Sequence, residues 1–161
     1  MTGRITYRAK KSSADILVVT AAAVAFISCA GGDSVSSFTH IPEAGWAYGD
    51  TVTFEIDSVL HADQPLSIAL RHNDSYPYRN IYIEVAVESI EGIRRDTVGI
   101  DLCDIFGHWY GHGIGSSMQI ERPAGITIGK TARKVNLRHV MRVDTLKGIE
   151  IIGISGQPTE K

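Results

Sequence analysis

The chain has 161 residues, with 16 Lys and Arg, 18 Asp and Glu, and a formal net charge of −2. Its basic residues form no cluster in the body of the chain, which argues against a nucleic-acid-binding protein. Two cysteines are too few for a framework of stapling disulfides. The length suits a single domain with a substantial hydrophobic core.

The first 28 residues predict a cleaved lipoprotein signal peptide. Basic residues precede an uncharged apolar run over 16–27, which is too short to span a bilayer. Ser28 stands directly before Cys29, and Phe26 and Ile27 precede it, an arrangement that resembles the lipobox of bacterial lipoproteins. In that class the chain is cut before the cysteine and a lipid is attached to its sulfur. We therefore expect lipid attachment at Cys29 and no cofactor apart from this covalent lipid.

The predicted lipid also bears on the second cysteine and on the organisation of the chain. With Cys29 acylated, Cys103 has no partner and is expected to be a buried, inert thiol. Gly and Ser after Cys29 predict a flexible tether. Ala30 is not the Asp that can retain lipoproteins in an inner membrane, so we expect the outer membrane, periplasmic face. The expected segments are a signal peptide (1–28), a tether (29–40), a β-sandwich domain (41–157) and a C-terminal tail (158–161).

Beyond the tether the apolar residues recur with a period of two, which is typical of half-buried strands. The pattern is clearest over 81–88, where Ile81, Ile83 and Val85 alternate with polar or small residues. Turn signals separate the runs, among them Pro123-Ala124-Gly125 between two apolar pairs. Seven to nine short strands predict an all-β chain folded as a single antiparallel β-sandwich, with a jelly roll as one topology that fits.

The Gly-rich stretch 101–116 raises the question of a metal site. His108 and His112 are four residues apart and Asp104 lies upstream, and these side chains are ligand types that zinc accepts. The interleaved glycines make a helix improbable, and on an extended backbone this spacing sets no common direction. We expect no metal site here, and instead a loop that folds over the sheet edge and docks Trp109 into the core.

The sequence gives little support for nucleotide binding or nucleophilic catalysis. Residues 111–115 lack the spacing and the βαβ unit of a dinucleotide site. No serine lies in a Gly-x-Ser-x-Gly elbow, and only the nearness of His108 suggests reactivity at Cys103. We therefore expect no enzyme. Sugar stacking stays open, because six aromatic residues are available for it: Trp46, Tyr48, Tyr76, Tyr78, Trp109 and Tyr110.

Four short blocks follow the lipobox in order. They are WAYGD at 46–50, LRHN at 70–73 with YPYRN at 76–80, the aromatic and glycine positions of 102–113, and MRVD with Leu and Gly-Ile in 141–149. In order and spacing these blocks resemble the family of the gliding-motility lipoprotein GldH. The resemblance runs from the lipobox to about residue 153.

The resemblance implies an outer-membrane-associated lipoprotein of the gliding apparatus, linked to type IX secretion, with no enzymatic activity and no known cofactor. It implies a membrane contact through the lipid and other envelope or motility proteins as partners, without nucleic acid or a small-molecule substrate. The alternative is a surface glycan-binding β-sandwich lipoprotein.

We assign expected roles to three overlapping sets of residues. Ion pairs at strand ends are expected for Arg71 and Arg142. The candidate partner-binding loop comprises Gly107, Trp109, Tyr110, Gly111 and Gly113. The motif positions expected to be structural are Trp46, Tyr48, Asp50, Arg71, Tyr76, Pro77, Tyr78, Asn80, Met141 and Arg142.

Overall fold

The computed structural model describes residues 34–56, 60 and 62–156. The predicted signal peptide, Cys29 and the C-terminal tail lie outside the described residues. Among the described residues, no helix is long and apolar enough to cross a membrane. The regular structure is β-strand: β1 (Val35–His40), β2 (Trp46–Ala47), β3 (Val52–Glu55), β4 (Gln64–His72), β5 (Asn80–Ser89), β6 (Gly92–Asp101), β7 (His112–Ile114), β8 (Ser117–Ile128), β9 (Ala132–His139), β10 (Thr145–Leu146) and β11 (Ile149–Gly156).

The long strands form two antiparallel sheets. Sheet I has the order β1-β11-β4-β8-β7, and sheet II has the order β3-β9-β5-β6, while β2 and β10 pair separately. If the eight strands other than β2, β7 and β10 are numbered along the chain, sheet I contains 1-8-3-6 and sheet II contains 2-7-4-5. This order is that of a jelly roll. The all-β sandwich predicted from the sequence is confirmed.

One apolar core lies between the sheets and explains why the alternating segments form strands. In β5, Ile81, Ile83 and Val85 are fully buried, and they belong to one cluster with Leu137 of the neighbouring strand β9 and Ile152 of β11 in the other sheet. Each such side chain contributes about 1.5 to 3 kcal/mol relative to leaving it exposed. A register slip of one residue would move all of them to the solvent face.

The prediction of a tether over 29–40 is wrong for its last six residues, which form β1. Val35 pairs with Gly156 and His40 pairs with Ile151, so this segment completes one edge of sheet I. Its Ser-rich composition indicated flexibility, but the open hydrogen-bonding edge of β11 gives the backbone a partner. The linker between Cys29 and the sheet is correspondingly shorter than predicted.

The turn predicted at Pro123-Ala124-Gly125 is a bulge inside β8. Leu66 pairs with Ile126 and Ser67 pairs with Pro123, so Ala124 and Gly125 are extra residues on β8. Gly125 has φ of +67°, a conformation that glycine adopts without steric cost. The bulge keeps both apolar pairs of this segment in one long strand.

The register defines two ends of sheet I. Val35, Leu66 and Ile126 lie in one row of paired residues, at the end where β1 begins. At the other end, which we call the distal end, His40, Ile151, Arg71, Gln119 and His112 are successive cross-strand neighbours. β7 therefore lies at the opposite edge and the opposite end from Val35.

Paired substitutions test β1. Val35 is 7% exposed whereas Ser36 is exposed, so Val35→Asp should lower the free energy of unfolding by about 2 kcal/mol or more and Ser36→Asp by much less. Chemical denaturation of the two variants measures the difference. Equal, negligible effects would mean that the segment is a tether after all.

Candidate functional site

The motif blocks, which are distant in the sequence, are joined by backbone hydrogen bonds near the distal end. The N–H of Asn73 donates to the carbonyl of Gly148 at 2.9 Å. The N–H of Leu102 donates to the carbonyl of Arg79 at 2.7 Å. Together these bonds hold the segments around Asn73, Arg79, Leu102 and Gly148 beside one another, so we take this region as the candidate site.

Tyr76 is the buried element of the YPYRN block. It is 2% exposed, and its hydroxyl donates to the carbonyl of Asn80 at 2.7 Å. Burial raises the pKa of Tyr76 above its usual range, so the hydroxyl stays protonated and keeps donating. Gly148 has φ of +82°, and a Cβ there would lie 2.7 Å from the Cα of Tyr76. Pro77, beside Tyr76, is exposed, and Tyr78 is half-buried.

Trp46 anchors the WAYGD block. It is 1% exposed, its indole N–H donates to the carbonyl of Asp50 at 3.1 Å, and β2 pairs it with Leu146. The Nε2 of His139 lies 3.0 Å from the carbonyl of Trp46. Tyr48 is 45% exposed and packs its ring edge-on to His139.

Trp109 connects the β6–β7 loop (residues 102–111) to sheet I. Its ring lies 4.5 Å from the ring of His72, centroid to centroid, and its backbone forms a bridge with Cys103. Trp109 is half-buried against the core, and Cys103 is a free thiol with 4% exposure. His72 is 1% exposed, and burial lowers the pKa of its imidazole despite the opposing effects of the Asn73 backbone and nearby carboxylates.

Asp104 organises the tip of the β6–β7 loop. Its carboxylate accepts hydrogen bonds from the backbone N–H groups of Phe106 (2.8 Å) and His108 (2.9 Å). It also lies 2.9 Å from the Nδ1 of His108, and this side-chain hydrogen bond is the main cause of the lowered pKa of Asp104. Three contacts to one carboxylate close the loop into a turn.

Of the three residues considered as metal ligands, the structure brings only two into contact. Asp104 and His108 contact each other, whereas His112 lies in β7, opposite Gln119, with its side chain exposed. Within 34–56, 60 and 62–156, no group of three or more His, Cys, Asp or Glu side chains is placed to hold a metal ion.

Two glycines assigned to partner binding have a structural role. A Cβ at Gly113 would collide with the carbonyl oxygen of Ser117, and a Cβ at Gly111 with that of Gln119. Glycine at both positions lets β7 approach β8 closely enough to pair. The same reasoning does not apply to Gly107, where a Cβ would meet open space.

The most exposed apolar side chains of this region belong to three residues outside the set assigned from the sequence. Ile105 is 76% exposed, Phe106 is 79% exposed, and Ile114 in β7 is 94% exposed, while Tyr110 is 38% exposed. The signal in the sequence was the pair Ile105-Phe106 inside a segment otherwise rich in Gly and polar residues. Apolar residues in a Gly-rich loop are exposed unless, like Trp109, they reach the adjacent sheet.

The predicted ion pairs of Arg71 and Arg142 are not formed with any described residue. A guanidinium N–H of Arg71 donates to the amide oxygen of Gln119 at 2.9 Å, because Gln119 is its cross-strand neighbour. Arg142 is exposed in the segment before β10. Met141 beside it is 9% exposed, and its sulfur accepts the N–H of Tyr82 at 3.4 Å.

The aromatic residues considered for sugar stacking are mostly engaged in packing. Trp46 and Tyr76 are buried, and Trp109 packs on His72. Only Tyr48 and Tyr110 of that set are exposed. Both tryptophans therefore have structural contacts, and no exposed tryptophan platform supports the glycan-binding alternative.

Two glycines with similar backbone conformations make a matched test of the packing at Gly148. Gly107→Ala should cost about 1 to 2 kcal/mol, from the left-handed conformation alone. Gly148→Ala should cost about 3 kcal/mol or more, because the methyl group also overlaps the backbone of Tyr76. Urea unfolding of both variants measures the difference, and equal losses would show that Tyr76 does not pack on Gly148.

Buried His72 predicts a pH dependence of stability. Because its pKa is below its ordinary value of 6.5 in the fold, the unfolded chain binds the proton more readily, and stability falls as the pH drops below about 6.5. His72→Phe keeps a flat ring and removes the buried ionisable group. The melting temperature of this variant should fall less than that of the wild type between pH 7.5 and pH 5. Identical falls would contradict a neutral, buried His72.

Comparison with known proteins gives a family. The family model described as GldH lipoprotein matches residues 33–155, which is most of the chain and nearly all of the described domain. No curated protein matches the chain. The match covers the aromatic and glycine blocks that converge at the distal end, and the chain belongs to the GldH lipoprotein family.

Proposed function

We propose that this gliding-motility-associated lipoprotein is a non-catalytic component of the motility and type IX secretion machinery, anchored through Cys29 in the outer membrane on its periplasmic face. Membership of a lipoprotein family that is not a known enzyme family supports an anchored, non-enzymatic role in the cell envelope. In this proposal the β6–β7 loop, together with Ile114, binds a protein partner.

The observation that carries the proposal is the exposure of apolar side chains on an ordered loop. Ile105, Phe106 and Ile114 are each more than three-quarters exposed. Ile105 and Phe106 belong to the loop held by Asp104 and Trp109, and Ile114 lies in β7, which pairs with β8. Exposed apolar clusters on a rigid support are typical of protein-binding sites. Binding such a loop costs little conformational entropy, because the backbone is already ordered.

The position of the loop relative to the lipid attachment site favours a partner on the side of the domain away from the membrane. Cys29 precedes Val35 by six residues, a linker that reaches about 20 Å when fully extended. β7 lies at the opposite edge and opposite end of sheet I from Val35. A lipid attached near Val35 therefore leaves the apolar residues of the loop free to meet a protein on the far side of the domain.

Substitution of the exposed apolar residues tests partner binding. The double change Phe106→Ser and Ile114→Ser should remove at least 90% of the co-purifying envelope proteins in a gentle detergent extraction, because it deletes the apolar contact. Mass spectrometry of the bound proteins is the readout. Ile90→Ser is the matched control, since Ile90 is 65% exposed in the β5–β6 turn and lies outside the loop.

The controls separate anchoring from docking. Cys29→Ala should release the protein from the membrane fraction, whereas the loop variant should stay membrane-bound. If the loop variant retains all partners, or if Ile90→Ser loses them equally, the loop is not the docking site. A wild-type protein that is membrane-bound but extracted without partners would contradict the proposed complex and direct attention to glycans.

A further inference from the structure

A second candidate surface lies on the outer face of sheet I, and none of its residues is among those proposed for docking. Arg71 stands in the middle of the row of cross-strand neighbours at the distal end, between Ile151 and Gln119. Cross-strand neighbours point to the same side of a sheet, so the three side chains share the outer face. Arg71 is half-buried there, and its guanidinium is held by the amide of Gln119.

The positive charge of Arg71 is not neutralised by any carboxylate of the described residues within salt-bridge distance. Its one hydrogen-bonding partner among them is the neutral amide of Gln119. Glu150, also on this face, accepts instead from the side-chain amide of Asn73 (2.9 Å) and the hydroxyl of Ser117 (2.9 Å). A guanidinium fixed by a neutral side chain keeps most of its donors available for a ligand.

An apolar depression of about 200 Å³ adjoins this guanidinium. The small side chain of Ala69 leaves room for it, and the ring of Phe38 packs over Gly153, the cross-strand neighbour of Ala69. We call it the Arg71 trough, and it is lined by Phe38, Ala69, Leu70, Arg71, Gln119 and Ile151. A cation thus stands at one side of a trough that is otherwise mainly apolar.

A carboxylate occurs further along the same face. Glu121 is the cross-strand neighbour of Ala69, and the hydroxyl of Ser155 donates to it. The outer face therefore carries a guanidinium in the row of Arg71 and an acceptor in the next row. A ligand that fits both has a carboxylate, an apolar group and an N–H donor close together.

We propose that the Arg71 trough binds the free C terminus of a peptide whose last side chain is apolar. The terminal carboxylate pairs with the fork of N–H groups on Arg71, a geometry that guanidinium matches closely. The last side chain occupies the apolar floor beside Phe38, and a peptide N–H faces Glu121. None of the trough residues belongs to the β6–β7 loop, although Arg71 and Gln119 also line a neighbouring depression with Ile114. The variants that test the trough therefore leave Phe106 and Ile114 unchanged.

The test uses the full lipoprotein in detergent micelles and three small probes. They are N-acetyl-Ala-Leu with a free carboxylate, the same dipeptide as its C-terminal amide, and isovalerate, which has the carboxylate and the branched apolar group but no N–H. Binding is followed by NMR through the side-chain N–H signals of Arg71 and Gln119. The free acid should bind at least tenfold more tightly than the amide, because a charged hydrogen bond is lost in the amide.

Variants complete the test. Arg71→Gln should weaken binding of the acid at least tenfold. Arg71→Lys should restore part of the affinity, because lysine supplies the positive charge but lacks the paired N–H donors of the guanidinium. Arg142→Gln is the matched control, an exposed arginine without an ion pair to a described residue, and should bind as the wild type does. Equal affinity for acid and amide would overturn the proposal, and so would binding that is insensitive to Arg71→Gln. Isovalerate binding as tightly as the dipeptide acid would overturn the assignment to a peptide.

Discussion

The contact between Trp109 and His72 is the constraint on which the candidate site depends. The segment between β6 and β7 contains glycines and has little regular structure, so its own hydrogen bonds would leave it mobile. The indole of Trp109 packs 4.5 Å from the imidazole of His72, which is part of the buried row of β4. With Trp109 held there, Tyr110 can donate its N–H to the carbonyl of Leu102, and the loop becomes a fixed extension of the sandwich.

This arrangement explains why the motif blocks are rich in aromatic residues and glycine. Tyr76 and Trp109 both contact His72, while Gly148 gives the backbone of Tyr76 the space it needs. Large rings fill the end of the sandwich, and glycines permit the close approaches around them. The blocks therefore build a rigid support, and the residues available to a partner are their exposed neighbours.

The sequence predicted the fold more fully than it predicted the site. Period-two patterns such as that of β5 identify strands, because a strand with one buried face has an apolar residue at every second position. The role of 35–40 was missed, since a Ser-rich segment pairs only when another strand offers a free edge, and that edge comes from β11 at the far end of the chain. The bulge at Ala124 and Gly125 was likewise set by pairing with β4.

At the site, the Gly-rich segment was correctly selected as a loop that docks Trp109, but its most exposed apolar side chains were not. Which aromatic residues point inward depends on the sheet beneath them, so Trp109 and Phe106 cannot be distinguished by composition. The unpaired state of Arg71 also follows from register, because its cross-strand neighbour is an amide and not a carboxylate. The burial of a loop aromatic residue and the neighbour of Arg71 both depend on how distant strands pair, so a local sequence pattern does not predict them.

Amide hydrogen exchange at Tyr110 tests the central claim most directly. The N–H of Tyr110 bonds to the carbonyl of Leu102 at 2.7 Å, so the account predicts slow exchange in the wild type and at least about tenfold faster exchange in Trp109→Ala. The amides of β5 should be unaffected by that substitution. Exchange of Tyr110 at the rate of an unstructured peptide in the wild type would contradict an ordered loop held by Trp109.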